Sequence, residues 1–193
     1  MAGARSSAIS AGLARNWWAI ALRGIAGVTF GLSVLALPPP TVASLVLLFA
    51  AYVVADGALA ILAGARASHP ERWWTLILEG VTNFAAAGAV LVWAAIAVPL
   101  LSLASAWAIV TAAPMLAAAH RFSGALGRWL LAFGGGVSAG WGVLAAALAP
   151  SSDGDLRTME LWLVAYALVF GVTLLVLASG LRRRHAEPDQ YSA

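Results

Sequence analysis

Cysteine and lysine are both absent from this 193-residue chain, and charged residues of every kind make up only 10% of it. Without cysteine, the protein has no disulfide, no thiolate chemistry and no Cys-ligated metal. All side-chain positive charge at neutral pH comes from eleven arginines. Because no basic face with interleaved aromatic residues exists outside the loops, we expect no nucleic-acid partner.

Apolar residues make up 62% of the chain, and the mean hydropathy is +0.90, which is typical of an integral membrane protein. The first apolar stretch follows Arg15, contains Arg23 and has a copy that begins at Trp73. It is about 21 residues long, which exceeds the apolar region of most signal peptides. We therefore interpret it as a transmembrane helix that stays in the protein.

One short motif occurs three times at nearly even spacing: NWWAIALRG (16–24), RWWTLILEG (72–80) and GRWLLAFGG (127–135). In each copy a tryptophan stands six residues before a glycine. Long apolar stretches separate the copies, so each copy begins a hairpin of two membrane-spanning helices. The predicted fold class is all-α, with six transmembrane helices in three parallel hairpin repeats around a pseudo-threefold axis.

The polar segments between the apolar stretches set the predicted boundaries of the repeats. They are an N-terminal arm (1–15), three hairpin repeats (16–66, 67–122 and 123–184) and a C-terminal tail (185–193). Nine arginines fall on one side of the predicted membrane and Arg157 alone on the other. Positive residues concentrate in cytoplasmic loops, so this count places the arm, the tail and both termini in the cytoplasm.

Aromatic residues recur at equivalent positions of the repeats. The tryptophans of the opening motif predict an interfacial belt on the cytoplasmic side: Trp17, Trp18, Trp73, Trp74 and Trp129. A second aromatic set lies in the second helix of each hairpin: Tyr52, Trp107 and Tyr166. These three side chains either fill equivalent packing positions near mid-membrane or form a ring that binds a substrate.

Three ionisable residues, Arg23, Asp56 and Glu79, lie inside predicted spans. Arg23 and Glu79 each follow a tryptophan by six residues, so both lie about 9 Å deep. Asp56 falls in the same half of the membrane. Because an unpaired carboxylate in lipid is strongly disfavoured, we expect an intramembrane charge cluster in the bundle interior. One arginine cannot neutralise two acids, so a shared proton would make the cluster pH-responsive. The alternative is structural pairing, with Arg23 extending to the headgroups.

Two Gly-x-x-x-Gly pairs, Gly27 with Gly31 and Gly136 with Gly140, have the spacing of close helix packing, either internal or between copies. The predicted loop 151–160 holds Asp153, Asp155 and Glu160, which fit a solvated loop better than a metal site. The three histidines fall in cytoplasmic segments and are either solvated or sensors of internal pH. We predict no metal site.

The double-Trp opening, the Leu-Arg-Gly and Leu-Glu-Gly pair, and the Tyr-x-x-x-Asp-Gly of the first hairpin resemble the HdeD family of bacterial acid-resistance membrane proteins. The similarity covers residues 16 to about 181. The resemblance implies a short-repeat family of unknown function and a six-helix protein of the bacterial plasma (inner) membrane. It also implies an association with survival at low pH.

No Ser/His/Asp set, metal-ligand spacing or phosphate-binding glycine loop occurs, so we predict no catalytic residues, no cofactor and no enzymatic activity. The first functional hypothesis is a non-enzymatic protein of acid or envelope stress, acting by interaction or by altering the bilayer. The alternative is a small proton-linked transporter or channel. Expected partners are the lipid bilayer, further copies of the chain and other membrane proteins.

Overall fold

A computed structural model of the chain describes residues 16–36, 41–66, 70–94, 100–121, 125–148 and 156–186. Within these ranges the chain forms six α-helices and no strand. They are α1 (Trp17–Ala36), α2 (Val42–Ala65), α3 (Pro70–Ala94), α4 (Leu100–Arg121), α5 (Ala125–Leu148) and α6 (Leu156–Ala186). The predicted N-terminal arm lies outside the described residues, as do the side chains of Trp73 and Trp74.

Five of these helices are long and apolar enough to cross a membrane, with apolar windows inside spans of 18 to 28 residues. The described apolar part of α3 is shorter, Leu76–Val92, which corresponds to about 26 Å of helix. It contains Glu79 and Asn83. The prediction of an all-α polytopic membrane protein is confirmed.

The start of α2 is fixed by a capping box. The backbone N–H of Ser44 donates to the Thr41 hydroxyl at 3.1 Å, and the backbone N–H of Thr41 donates to the Ser44 hydroxyl at 2.9 Å. Each bond satisfies a donor that a helix start leaves without an intrahelical partner. The second helix of the first hairpin can therefore begin directly at Val42.

The most extensive contacts join successive hairpins rather than the two helices of one hairpin: α2 packs on α3, α4 on α5, and α6 on α1. The motif glycines lie in these three seams. A Cβ atom at Gly24 would lie 2.9 Å from the Gly171 carbonyl oxygen, and one at Gly80 would lie 2.7 Å from that of Gly57. At Gly135 it would lie 2.8 Å from Cγ of Leu116. The repeated glycine is thus the position where one hairpin approaches the next.

The aromatic residues of the second helices meet in the core. Tyr52, Trp107 and Tyr166 are 5%, 5% and 3% exposed. The ring centroids of Tyr52 and Trp107 are 5.6 Å apart, and those of Trp107 and Tyr166 are 6.2 Å apart. Trp107 therefore contacts the repeat-related tyrosines of both other hairpins, which supports the packing interpretation of these side chains.

Two sequence-based expectations need correction. Glu160 does not lie in a solvated loop, because α6 begins at Leu156 and the Glu160 residue is 2% exposed. Its Oε2 accepts from Nη1 of Arg157 at 2.9 Å. Gly136 and Gly140 take no part in packing within the chain, since no described heavy atom would lie within 4 Å of a Cβ at either one; packing between copies at this pair stays a prediction. Asp153 and Asp155 fall outside the described residues.

The other glycine pair does pack internally. A Cβ atom at Gly27 would lie 3.3 Å from the Gly171 Cα, and one at Gly31 would lie 3.1 Å from Cδ2 of Leu168. Both contacts belong to the seam between α1 and α6. The same spacing therefore has two meanings in this chain, and only the face of the helix distinguishes them.

Candidate functional site

The guanidinium group of Arg23 on α1 binds two carboxylates. Its Nε donates to Oδ1 of Asp56 at 2.6 Å, and its Nη2 donates to Oδ2 of Asp56 at 2.8 Å. The same Nη2 donates to Oε1 of Glu79 at 2.5 Å. The three residues singled out from their depth along the sequence thus form one bonded group, and Arg23 is its centre.

Two further side chains extend this group into the core. Nδ2 of Asn83 donates to Oδ2 of Asp56 at 2.8 Å, and Nε1 of Trp107 donates to Oδ1 of Asn83 at 2.9 Å. We call these five residues, Arg23, Asp56, Glu79, Asn83 and Trp107, the polar network. It connects α1, α2, α3 and α4, which are the helices of the first two hairpins.

Asn83 and the Nε1 donor of Trp107 are members of the network that the sequence did not predict. A signal for Asn83 was present, because it stands four residues after Glu79 and residues at that spacing share a helix face. Trp107 offered no such signal, since a buried tryptophan is explained by packing alone.

A close approach of α2 and α3 brings Asp56 to Asn83. A Cβ atom at Gly57, the residue after Asp56, would lie 2.9 Å from Cβ of Asn83 and 3.0 Å from the Gly80 carbonyl oxygen. Any side chain at Gly57 would push the two helices apart. The small residues of the seam therefore position the polar side chains beside them.

Burial is uneven across the charged residues. The side chain of Asp56 is 2% exposed, whereas those of Arg23 and Glu79 are 18% and 16% exposed. The charged group is thus closed at Asp56 and partly open at Arg23 and Glu79. With both acids ionised it carries one excess negative charge, which a single proton would neutralise.

Chemically, this arrangement can clamp helices together. A guanidinium that donates two hydrogen bonds to one carboxylate is held in a fixed plane, so this pair also fixes the relative positions of α1 and α2. Glu79 adds α3 to the same clamp. Among the described residues, no group of three His, Asp or Glu side chains could hold a metal ion.

Residue 27, on α1, stands as far after the motif tryptophan of its repeat as Asn83 and Ser138 stand after theirs, so the three positions are equivalent. Asn83 bonds Trp107, and the hydroxyl of Ser138 lies 2.9 Å from that of Tyr166. In the first hairpin this position is Gly27, and the buried Tyr52 hydroxyl has no hydrogen-bond partner among the described residues. Two of the three central aromatic side chains are thus held by a polar neighbour, and the third is not.

The belt tryptophans differ in their contacts. The Arg182 guanidinium lies 5.1 Å from the ring centroid of Trp17, and that of Arg66 lies 4.8 Å from the ring centroid of Trp18. Both distances fit cation–π contacts. Trp129 is 70% exposed. That these tryptophans lie at the cytoplasmic interface stays a prediction.

Comparison with known proteins gives one family match. No curated protein and no solved structure matches the chain. Residues 22–92 match a family model described as a short repeat of unknown function (DUF308). That segment contains Arg23, Asp56, Glu79 and Asn83, so four of the five residues of the polar network lie inside it. From residue 22 to residue 92, the chain is therefore similar to this short-repeat family.

Proposed function

We propose that this chain is a non-enzymatic protein of the bacterial inner membrane, with both termini in the cytoplasm, that acts in acid or envelope stress. It acts by contact with the bilayer or with other membrane proteins. The resemblance to the HdeD family supports this role, and the match to the short-repeat family over residues 22–92 agrees with it.

One observation carries the proposal: the polar side chains of the five network residues are bonded to one another. Asp56 accepts from Arg23 through both carboxylate oxygens and also from Asn83. The core next to this network holds the buried rings of Phe49 and Tyr52, which pack against Trp107. A network with these bonds favours a stable helix bundle over a solute path.

The test is survival of an acid-sensitive bacterial host at an external pH of about 3, below the ordinary pKa of a carboxyl group. We expect the full chain to raise survival above that of the empty vector. Arg23→Gln should abolish the gain, because it removes the centre of the network. Glu160→Gln is the matched control, since it alters a buried acid outside the network.

The survival test also has a result that would overturn the proposal. Membrane abundance of each variant is measured by immunoblot, so that loss of protein is separated from loss of activity. Equal survival of cells with the full chain and cells with the empty vector, at normal abundance, would show that the protein has no part in acid resistance.

The second candidate function is a small proton-linked transporter or channel. It is favoured by the exposure gradient of the charged residues, from 18% for Arg23 and 16% for Glu79 down to 2% for Asp56. A proton could enter at the exposed pair and reach the buried acid. The excess negative charge of the cluster would favour its uptake.

Proton flux into proteoliposomes decides between the two functions. A transporter or channel predicts flux above that of protein-free liposomes, lost in Asp56→Asn and in Glu79→Gln but retained in Glu160→Gln. The non-transport proposal predicts flux at the protein-free level for all four proteins. Measurable flux that needs Asp56 would replace the first proposal with the second.

A further inference from the structure

A groove lies between the start of α1 and the end of α6. Its volume is about 450 Å³, and its lining includes Trp17, Leu175, Ala178, Arg182 and Arg183. Clefts of about 300 to 1,000 Å³ are of the size that holds a small molecule or part of a larger one. The groove and the polar network are separate sites, because none of the five network residues lines the groove.

One end of the groove is positively charged. Arg182 and Arg183 are both exposed, and neither forms an ion pair with an acid of the described ranges. Arg23 and Arg157, in contrast, are each paired with carboxylates. The Arg182 guanidinium lies 5.1 Å from the Trp17 ring centroid, which holds it beside the groove. A cation–π contact leaves the guanidinium N–H groups free to donate.

Apart from Ser179, whose hydroxyl donates to the Val176 carbonyl at 2.8 Å, the rest of the groove wall is apolar. Leu175 stands seven residues before Arg182, which places it about 10 Å deeper along the helix axis. The candidate membrane span of α6 ends at Arg183. The two arginines therefore lie where hydrocarbon meets headgroups, and the apolar wall extends from them into the hydrocarbon layer.

We propose that this groove binds one anionic phospholipid. The headgroup phosphate accepts hydrogen bonds from Arg182 and Arg183, and the upper part of an acyl chain lies along Leu175, Ala178 and Ala21. Arginine forms charge-assisted bonds to phosphate oxygens, often two at a time. Inorganic phosphate offers the same anionic chemistry but nothing that would cover the apolar wall, so a lipid is the occupant that fits both ends. This inference does not rest on the proposed role in stress.

Native mass spectrometry of the detergent-solubilised full chain tests the proposal. Binding of phosphatidylglycerol is compared with that of phosphatidylcholine with the same acyl chains. The double variant Arg182→Gln/Arg183→Gln should weaken phosphatidylglycerol binding roughly thirtyfold, since each arginine near an anionic headgroup contributes about a fivefold step. Phosphatidylcholine binding should be unaffected.

Arg66→Gln is the matched control. Arg66 is exposed at the end of α2 and stacks on Trp18 at 4.8 Å, but it does not line the groove. The Arg66→Gln variant removes one positive charge and one cation–π contact, so it should change phosphatidylglycerol binding by less than about twofold. If Arg66→Gln weakened binding as much as the double variant, attraction by any exposed arginine would explain the data and the proposal would fail.

The apolar wall is tested separately from the arginines. Ala21→Phe and the smaller change Ala21→Leu fill the groove without altering charge, and both should weaken phosphatidylglycerol binding. Added inorganic phosphate should not displace the lipid from the unaltered protein. Unchanged lipid binding in both Ala21 variants, or displacement by millimolar phosphate, would show a simple anion site and overturn the lipid assignment.

Discussion

The charged residues of the first two hairpins, Arg23, Asp56 and Glu79, differ from the residues at the equivalent positions of the third hairpin. Arg23 and Glu79 are equivalent to Gly134, counted from the motif tryptophan, and Asp56 is equivalent to Phe170. A Cβ atom at Gly134 would lie 2.7 Å from Cε of Met115, and the Phe170 ring stacks on Tyr166 with centroids 5.4 Å apart. Equivalent backbone positions thus carry charged side chains in the first two hairpins and make apolar contacts in the third.

This difference shows that the fold does not require charge at these positions. The second hairpin is intermediate, because its equivalent of Asp56 is Thr111, whose hydroxyl donates to the Ala108 carbonyl within its own helix. The seams and the central aromatic residues are common to all three repeats. The ionic part of the polar network is therefore an addition to the scaffold, and variants can remove it, exchange it or probe its neighbours.

The largest effect is expected when the ionic group loses its only positive member. Arg23→Met would leave Asp56 and Glu79 as unpaired carboxylates, with Asp56 fully buried. Breaking a buried ion pair in this way costs about 3–5 kcal/mol of the free energy of unfolding. Unfolding in bicelles, followed by tryptophan fluorescence, measures the change. Thr111→Val, at the position equivalent to Asp56, is the control and should cost about 1 kcal/mol.

Replacing all three charged residues by apolar ones should recover much of the lost free energy of unfolding. In the triple variant Arg23→Met/Asp56→Leu/Glu79→Leu no unpaired ion remains, and replacement of buried ions by apolar residues is often neutral. We expect the triple variant to be more stable than Arg23→Met alone in the same measurement. A triple variant less stable than the single one would mean that the scaffold depends on the ions after all.

A smaller effect is expected at the seam glycines. Gly80→Ala places a methyl group 2.7 Å from the Gly57 carbonyl oxygen, and such overpacking typically costs about 1–3 kcal/mol. Gly136→Ala is the matched control on an open face and should be neutral or stabilising by up to about 1 kcal/mol. Thermal unfolding of both variants gives the comparison. Equal destabilisation would show that a glycine is needed for a reason other than close approach.

The smallest effect concerns the two core tyrosines. Tyr166→Phe removes a bond to Ser138 and should cost about 1 kcal/mol of the free energy of unfolding. Tyr52→Phe removes a hydroxyl that has no partner in the part of the chain that the structure describes, so it should be neutral or slightly stabilising. Chemical denaturation of the two variants in parallel resolves the difference. A larger loss for Tyr52→Phe would reveal a hydrogen-bond partner, such as a buried water.

Much of the fold could be predicted because the repeat is visible in the sequence. Trp18, Trp74 and Trp129 define the register, and from it follow the helix order and the common depth of Arg23 and Glu79. Depth along a helix is set by rise alone, so it can be read without coordinates. The convergence of the charged residues was therefore accessible from the sequence.

Other features depend on helix rotation, which the sequence constrains poorly in lipid. Gly27 and Gly136 have the same spacing to a second glycine, yet one faces α6 and the other faces away from the described helices. In an apolar environment the exposed and buried faces have similar composition, so hydrophobic periodicity is weak. Glu160 was assigned to a loop because an acid near a turn is usually solvated. Its pairing within the first turns of α6 was not visible.

The contact between α1 and α6 closes the helices into a ring and has a consequence for biogenesis. Gly24 and Leu175, which meet in this seam, are 151 positions apart, so at the rate of translation the first helix is made on the order of ten seconds before the last. Arg23 is without a partner for a shorter time, because Asp56 is inserted with the next helix. The order of translation therefore neutralises the arginine early and leaves a glycine-lined surface, which acyl chains can cover temporarily, until the chain is complete.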